Sequence, residues 1–294
     1  MKNMDLYEEK KTKIGNTPLV RRPEIERQLG FSNLLIKDES KNLFGTFKDR
    51  RNLLAIDEAI EERVDKLVTI TSGNAGYSLA RLAEGTGIKI VCMVDVTLNS
   101  FIKKSLEKHS YRVVEVDLSK EIFQPEDVMK LARETRREVI KDVTNGYHIA
   151  FQSIVTEIKE ETPDYLITPL GSGEAFVGLY QGLKKHRLKT KLIGAGVHQL
   201  RDHELKLRAR PSIADKLYTL HTPYAKKIVS ILEEKGNLYF HIPEKQIIDT
   251  YKKINTLLSC EPSSAAAFAA LQKLDIDKNS KVVIINSGKG VWTE

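Results

Sequence analysis

The sequence predicts an α/β protein in which parallel sheets are covered by helices. Short apolar, strand-like runs alternate with amphipathic helical patterns along most of the chain. In addition, three of the strongest apolar runs end in loops of small residues: Thr71-Ser72-Gly73-Asn74-Ala75-Gly76, the segment from Pro169 to Gly178 opening with Gly171-Ser172-Gly173, and Asn286-Ser287-Gly288-Lys289-Gly290. The first two lead directly into helical patterns. In an open parallel sheet, loops at the carboxyl ends of strands line the ligand crevice.

In chain order, residues 14–20 contain the turn Gly15-Asn16-Thr17-Pro18 before a short extended piece, and 34–37 read as a strand. Leu53, Ile56, Ile60 and Val64 repeat at helical spacing with charges between them. Residues 67–71 read as a strand, 77–84 as a helix, 88–94 as a strand, 99–109 as a helix, 111–116 as a strand and 126–141 as a helix. After the turn at Asn145-Gly146, the alternation continues with a helix at 149–161, a strand at 165–168, a helix at 175–185 and a strand at 191–197. A helix at 224–234 and a strand at 238–242 follow, then a helix started by Pro243 and a further one at 265–274. The last strand is 282–285. Residues 199–223 are the least regular and read as an irregular connection near the site. No repeat or low-complexity linker separates the parts.

The composition, 41% hydrophobic and 30% charged over 294 residues, is that of a soluble globular protein with ample core. No apolar stretch is long enough to span a membrane. The first ten residues lack the apolar core of a signal peptide. The two cysteines, Cys92 within an apolar run and Cys260, suit a reducing, cytoplasmic compartment. The net charge of +7 is spread among acidic residues, without a basic tail or nucleic-acid-binding motif, so no nucleic-acid partner is expected. It is a charged, solvated surface that favours anionic ligands. The seven histidines form no zinc-binding pattern, the His198–His203 pair reads as loop surface, and no metal is expected. No G-x-S-x-G elbow supports a serine hydrolase.

Lys48, in Gly45-Thr46-Phe47-Lys48-Asp49-Arg50-Arg51, stands between a strand-like run and a long helix. At a helix start beside Phe47, desolvation and the positive helix end both disfavour its ammonium form, leaving an amine able to attack a carbonyl. Gly171-Ser172-Gly173 suits a phosphate, because small residues let the backbone approach and the following helix offers N–H donors. Its spacing is neither standard nucleotide signature, and Glu174 repels a phosphate unless it points away. Ser72 to Gly76 offers a hydroxyl, an amide and backbone N–H groups able to hold a carboxylate, or alternatively only an N-cap with turn glycines. Ser287 either hydrogen-bonds a ring nitrogen or shapes a turn.

Together, Ile14 to Val20, Leu35 to Glu39, Gly45 to Arg50, Thr71 to Gly76, Gly171 to Gly178, Glu261-Pro262-Ser263-Ser264-Ala265 and Ser287 to Gly290 resemble, in order, the fold-type II family of pyridoxal-phosphate enzymes. That family includes threonine synthase, threonine dehydratase, cysteine synthase and the tryptophan synthase β chain. The resemblance implies two open parallel-sheet domains with helices on both faces: residues 1–40 and 145–294 as the larger, cofactor-binding domain, 41–144 as the smaller one carrying Lys48, and the site between them. It implies pyridoxal 5'-phosphate as cofactor and an amino acid as substrate, and a homodimer. Lys48 is then the catalytic residue, joined covalently to the cofactor aldehyde and later shuttling protons. Asn74 hydrogen-bonds the ring oxygen, and Gly171, Ser172 and Gly173 cradle the phosphate. Thr71, Ser72, Gly73, Asn74 and Ala75 hold the substrate carboxylate. Ser287 faces the pyridine nitrogen, where a neutral hydroxyl would not force that nitrogen to stay protonated.

Phe47-Lys48-Asp49-Arg50 and Glu261-Pro262-Ser263-Ser264-Ala265 are most similar to threonine synthase, which converts O-phosphohomoserine and water to threonine and phosphate. The alternatives are a serine/threonine dehydratase, a cysteine synthase-like β-replacement enzyme and, in another class, a non-catalytic binding or regulatory protein on the same fold. Arg51 and Tyr77 stand where the family usually has small residues, and Tyr77 is placed to narrow the substrate pocket.

Overall fold

The computed structural model describes residues 4–120, 122–201, 204–206, 212–219 and 222–290. In chain order its strands are β1 (Leu19–Arg21), β2 (Leu34–Asp38), β3 (Lys66–Ile70), β4 (Lys89–Asp95), β5 (Arg112–Val116), β6 (Ile140–Asp142), β7 (Tyr165–Pro169), β8 (Lys191–Gly196), β9 (Gln199–Arg201), β10 (Glu204–Lys206), β11 (Leu238–His241) and β12 (Val282–Asn286). The described chain divides into two compact units, one of residues 4–14 with Asn42–Tyr147, the other of Gly15–Lys41 with His148–Gly290.

In the smaller unit, four strands pair in the order β5-β4-β3-β6, all parallel. Side chains alternate across a strand, so each strand feeds two cores. Leu67, Ile90, Cys92 and Val94 pack with Ala55, Ile56 and Leu79 from the helices Lys48–Glu61 and Asn74–Ala83. Val68, Val91 and Met93 face the other way, onto Val128 and Ala132 of the helix Pro125–Ala132. Each fully buried Val, Leu or Ile here contributes about 1.5–3 kcal/mol relative to exposure. The helix Met4–Lys11, which periodicity did not reveal, belongs to this unit rather than to the larger domain expected for residues 1–40. Its Tyr7 is fully buried and donates to Asp57 at 2.9 Å.

The helix expected over 126–141 ends at Ala132. Glu138 is the reason. Its carboxylate accepts the amides of Glu134 (2.9 Å) and Thr135 (3.2 Å), a local alternative to helical bonding. It also pairs at 2.8 Å with the buried ammonium of Lys66, which Glu134 holds at the same distance. The chain is thereby drawn to the sheet, where residues 140–142 become β6 beside β3.

In the larger unit, six strands pair in the order β1-β2-β12-β7-β8-β11, parallel except for β1. All five residues of β12 are buried, as a strand covered on both faces requires. Ile284, Ile167 and Ile193 pack on the helix Pro262–Leu271, whose ten residues are alanine-rich and lie close against the sheet; nine of them are buried. On the helix Glu174–Lys185, a β-carbon at Gly178 would sit 1.9 Å from the carbonyl oxygen of His148, so only glycine permits that approach. The helix expected over 149–161 is a short α-helix, Gln152–Ile158, flanked by 3-10 turns. Pro23–Leu29 is a helix that sequence periodicity did not reveal. Within 199–223, β9 and β10 pair antiparallel and Asp215–Leu217 is a 3-10 turn; the rest of that connection lies partly outside the described residues.

Among the described residues no helix is long and apolar enough to cross a membrane.

Candidate active site

The smaller unit presents Lys48 and the loop after β3. Lys48 is the first residue of its helix, and its amide donates to Thr46 Oγ1 at 3.3 Å. The next residue, Asp49, is fully buried and fixes this start: one carboxylate oxygen accepts the Phe44 amide at 2.7 Å, the other the Ser78 hydroxyl at 2.6 Å. Asn52, one turn on, donates to Ala75 O and Ser78 Oγ, both at 2.9 Å. These bonds tie the Lys48 helix to the Thr71–Ala75 loop, so the unit brings Lys48 and that loop together. The Lys48 ammonium lies 5.5 Å from the centre of the Phe47 ring, and the side chain is half-buried.

The loop is shaped from within. Thr71 Oγ1 accepts the amides of Gly73 and Gly76, each at 3.0 Å, and Thr71 is buried. Asn74 begins the helix Asn74–Ala83 and is buried, Ser72 is exposed and Ala75 half-buried. A helix start carrying an exposed hydroxyl and a side-chain amide has the donors a carboxylate needs. Tyr77 is committed elsewhere: its ring packs edge-on to Phe44 and His109, and its hydroxyl accepts from Arg81 at 2.8 Å. Arg51 is likewise structural, fully buried, donating to Asn52 Oδ1 at 3.1 Å and to Val143 O, with its guanidinium over the Tyr147 ring.

The larger unit presents two loops from neighbouring parallel strands. Ile284 of β12 pairs with Ile167 of β7, so Ser287 and the Gly171-Ser172-Gly173 turn leave the sheet at the same end. Gly173 has φ 88°, in the left-handed region, and caps the helix Glu174–Lys185; a β-carbon there would meet Ile228 Cδ1 at 2.4 Å. Glu174 is 1% exposed, and its charge holds up the pKa of His148, which burial and then Lys227 push below the ordinary histidine value. The carboxylate is thus buried within reach of a histidine. His198, expected as loop surface, is fully buried, and burial reinforced by nearby His241 pushes its pKa down to about 4. Its suggested neighbour His203 lies outside the described residues.

Ser287, 1% exposed, sits in a network that the sequence did not disclose. Its hydroxyl donates to Glu261 Oε1 at 3.0 Å and lies 2.9 Å from Ser264 Oγ. Glu261 and Ser264 are buried at the start of the helix Pro262–Leu271, and the Glu261 amide donates to Gly288 O at 2.9 Å. The detectable signal was Glu261-Pro262-Ser263-Ser264 itself, whose proline and serines mark a helix start.

Each unit offers donors of the kinds pyridoxal phosphate needs: the smaller an amine beside an aromatic ring and an amide at a helix start, the larger a glycine-flanked serine before a helix and a buried hydroxyl. No group of three or more histidine, cysteine or acidic side chains suited to a metal occurs among the described residues.

Residues 10–288 match the profile of the family described as pyridoxal-phosphate dependent enzyme. Threonine synthase of Methanocaldococcus jannaschii is 23% identical, aligned over 94% of this chain and 75% of that protein. Cysteine synthase B of Pseudomonas aeruginosa is 24% identical over 92% of this chain and 90% of its own length. The solved structure of maize serine racemase superposes with a TM-score of 0.77 at 22% identity, covering 98% of this chain and 93% of that one.

Proposed function

The chain belongs to the pyridoxal-phosphate-dependent enzyme family, and from that premise we propose that it catalyses elimination or replacement on an amino acid, with the threonine synthase reaction, O-phosphohomoserine and water to threonine and phosphate, as its specific activity. The alignment of threonine synthase over 94% of the chain carries this reading. The net charge of +7 suits a doubly anionic substrate. When bound, the cofactor supplies an electron-withdrawing ring that stabilises negative charge on the substrate carbons. Lys48 would hold the cofactor through its amine and would carry protons to and from the substrate. Asn74 would donate to the ring oxygen, and Ser72 with Gly73, Asn74 and Ala75 would receive the substrate carboxylate on a loop that Thr71 holds in shape. Gly171, Ser172 and Gly173 would cradle the phosphate, the helix behind them adding positive potential, and Ser287 would face the ring nitrogen. The working enzyme is a homodimer, checked by sedimentation at twice the chain mass.

The test is release of phosphate and threonine from O-phosphohomoserine by protein loaded with pyridoxal phosphate. Equal amounts of both, lost in Lys48→Ala, support the reading. No release from protein that visibly holds the cofactor overturns it in favour of β-carbon chemistry on serine-type substrates, the second reading, which the cysteine synthase B similarity favours.

A further inference from the structure

Asn52 is a buried amide that joins two helices of the smaller unit through both of its protons. It stands one turn after Lys48, so the two side chains leave the same face of the helix Lys48–Glu61. An amide side chain has two donors on nitrogen and an acceptor oxygen. One Asn52 proton goes to the carbonyl oxygen of Ala75, at the end of the Thr71–Ala75 loop, and the other to Ser78 Oγ, each at 2.9 Å. The amide oxygen accepts Arg51 Nη1 at 3.1 Å. A carbonyl only accepts and a guanidinium only donates, so the amide has one orientation here. The Ser78 proton is directed in turn, because it goes to the Asp49 carboxylate at 2.6 Å. Asn52, Ser78 and Asp49 are fully buried, and hydrogen bonds in so dry a place are stiff.

We propose that Asn52 is a positioning residue, which keeps the Lys48 amine and the loop that receives the substrate carboxylate at one fixed separation. This rests on the roles given above to Lys48 and to that loop. Each end of the bracket is shaped without Asn52. Thr71 Oγ1 holds the loop through the amides of Gly73 and Gly76, while Thr46 and Asp49 hold the start of the Lys48 helix. The register between the two ends is a separate matter. The Asp49–Ser78 bond joins the helices further on, whereas Asn52 reaches the loop itself, at Ala75 O. A substrate gripped by its carboxylate presents its α-carbon to the amine at a distance that this register decides. The α-proton passes between that carbon and Lys48 Nζ, and a misplacement of about 1 Å can slow such a step about 100-fold. Gripping the carboxylate does not itself need the amine in register. Asn52 therefore acts on the proton step and leaves affinity alone, whereas a merely structural asparagine would change neither in protein that has folded.

The experiment measures the two separately. Full-length protein loaded with pyridoxal phosphate is given L-threonine in heavy water. Cofactor absorbance reads the dissociation constant of threonine. Proton NMR at saturating threonine reads wash-out of the α-proton, in which the Cα–H bond breaks toward Lys48 and a solvent deuteron returns. In Asn52→Leu, similar in volume but without donors, wash-out is expected to fall about 100-fold, with the dissociation constant nearly unchanged and the cofactor band retained. Asn52→Ser, one atom shorter, should behave in the same way. A folded variant with unchanged wash-out overturns the proposal. A dissociation constant that weakens as much as wash-out slows also overturns it, because Asn52 then only shapes the carboxylate site. Loss of the cofactor band does so too, since the amine itself would then depend on Asn52. Failure of both variants to fold, read by urea unfolding, makes Asn52 structural and overturns the proposal as well. If the unsubstituted, loaded protein washes no α-proton from threonine, the roles given to Lys48 and the loop fall, and the proposal with them.

Discussion

At Lys48 the backbone is held by Thr46, and Asp49 is clamped between the Phe44 amide and the Ser78 hydroxyl. The position of the amine therefore depends on a buried carboxylate next to it. Asp49→Ala leaves the amide and the hydroxyl without their acceptor, and a loss of about 1–3 kcal/mol is expected in urea unfolding. Lys48→Ala, by contrast, keeps the fold and loses the absorbance of covalently held cofactor; an unchanged band would rule out the lysine. Glu174 is a second case in which the environment decides. Its carboxylate is buried and raises the pKa of His148 against burial and Lys227. Glu174→Gln removes the raising charge, so the His148 titration, followed by NMR, moves to lower pH. Sequence singled out Lys48, Asn74 and Ser287 as candidates through their neighbours, but not Glu261 as the partner of Ser287, because the two meet only when β12 and the Pro262–Leu271 helix pack.

Among the elements, strands buried on both faces were the easiest to read, since continuous apolar runs such as Val282 to Ile285 have few other uses. The failure at 126–141 has a specific cause. The local pattern favours a helix, but Lys66, far away in sequence, captures Glu134 and Glu138. Its own pKa is raised, burial opposing and the two carboxylates prevailing, while the Lys66 bond and the Glu134 amide lower that of Glu138 to about 2. A depressed carboxylate contributes stability above its unfolded pKa and loses it as pH falls through the folded one. Urea midpoints should therefore drop between the ordinary glutamate range near 4.5 and about 2, and Glu138→Gln should flatten that part of the profile. Gly178 tests a helix contact. Its β-carbon would overlap the His148 carbonyl, so Gly178→Ala should cost about 1–3 kcal/mol or more, measured by the same unfolding experiment.

Over the whole molecule, each unit closes its own core, and both cysteines lie inside: Cys92 is fully buried and Cys260 nearly so. Burial pushes both thiols up to about 12, so neither should react with a thiol reagent in the folded protein, and both should on unfolding. The family and the cofactor were legible in the sequence through the resemblance of its ordered motifs, because those motifs are local: an apolar run, a turn, a helix start. The sequence also carried the two-sheet α/β class, through the alternation of periods. Only the tertiary structure decided where the first helix packs, that the chain at 133–139 leaves the helix to feed β6, that Tyr77 and Arg51 serve the core, and that Ser287 meets Glu261. Each of these depends on a hydrogen-bond or packing partner distant in sequence, and a buried polar group takes whichever partner the fold places within reach.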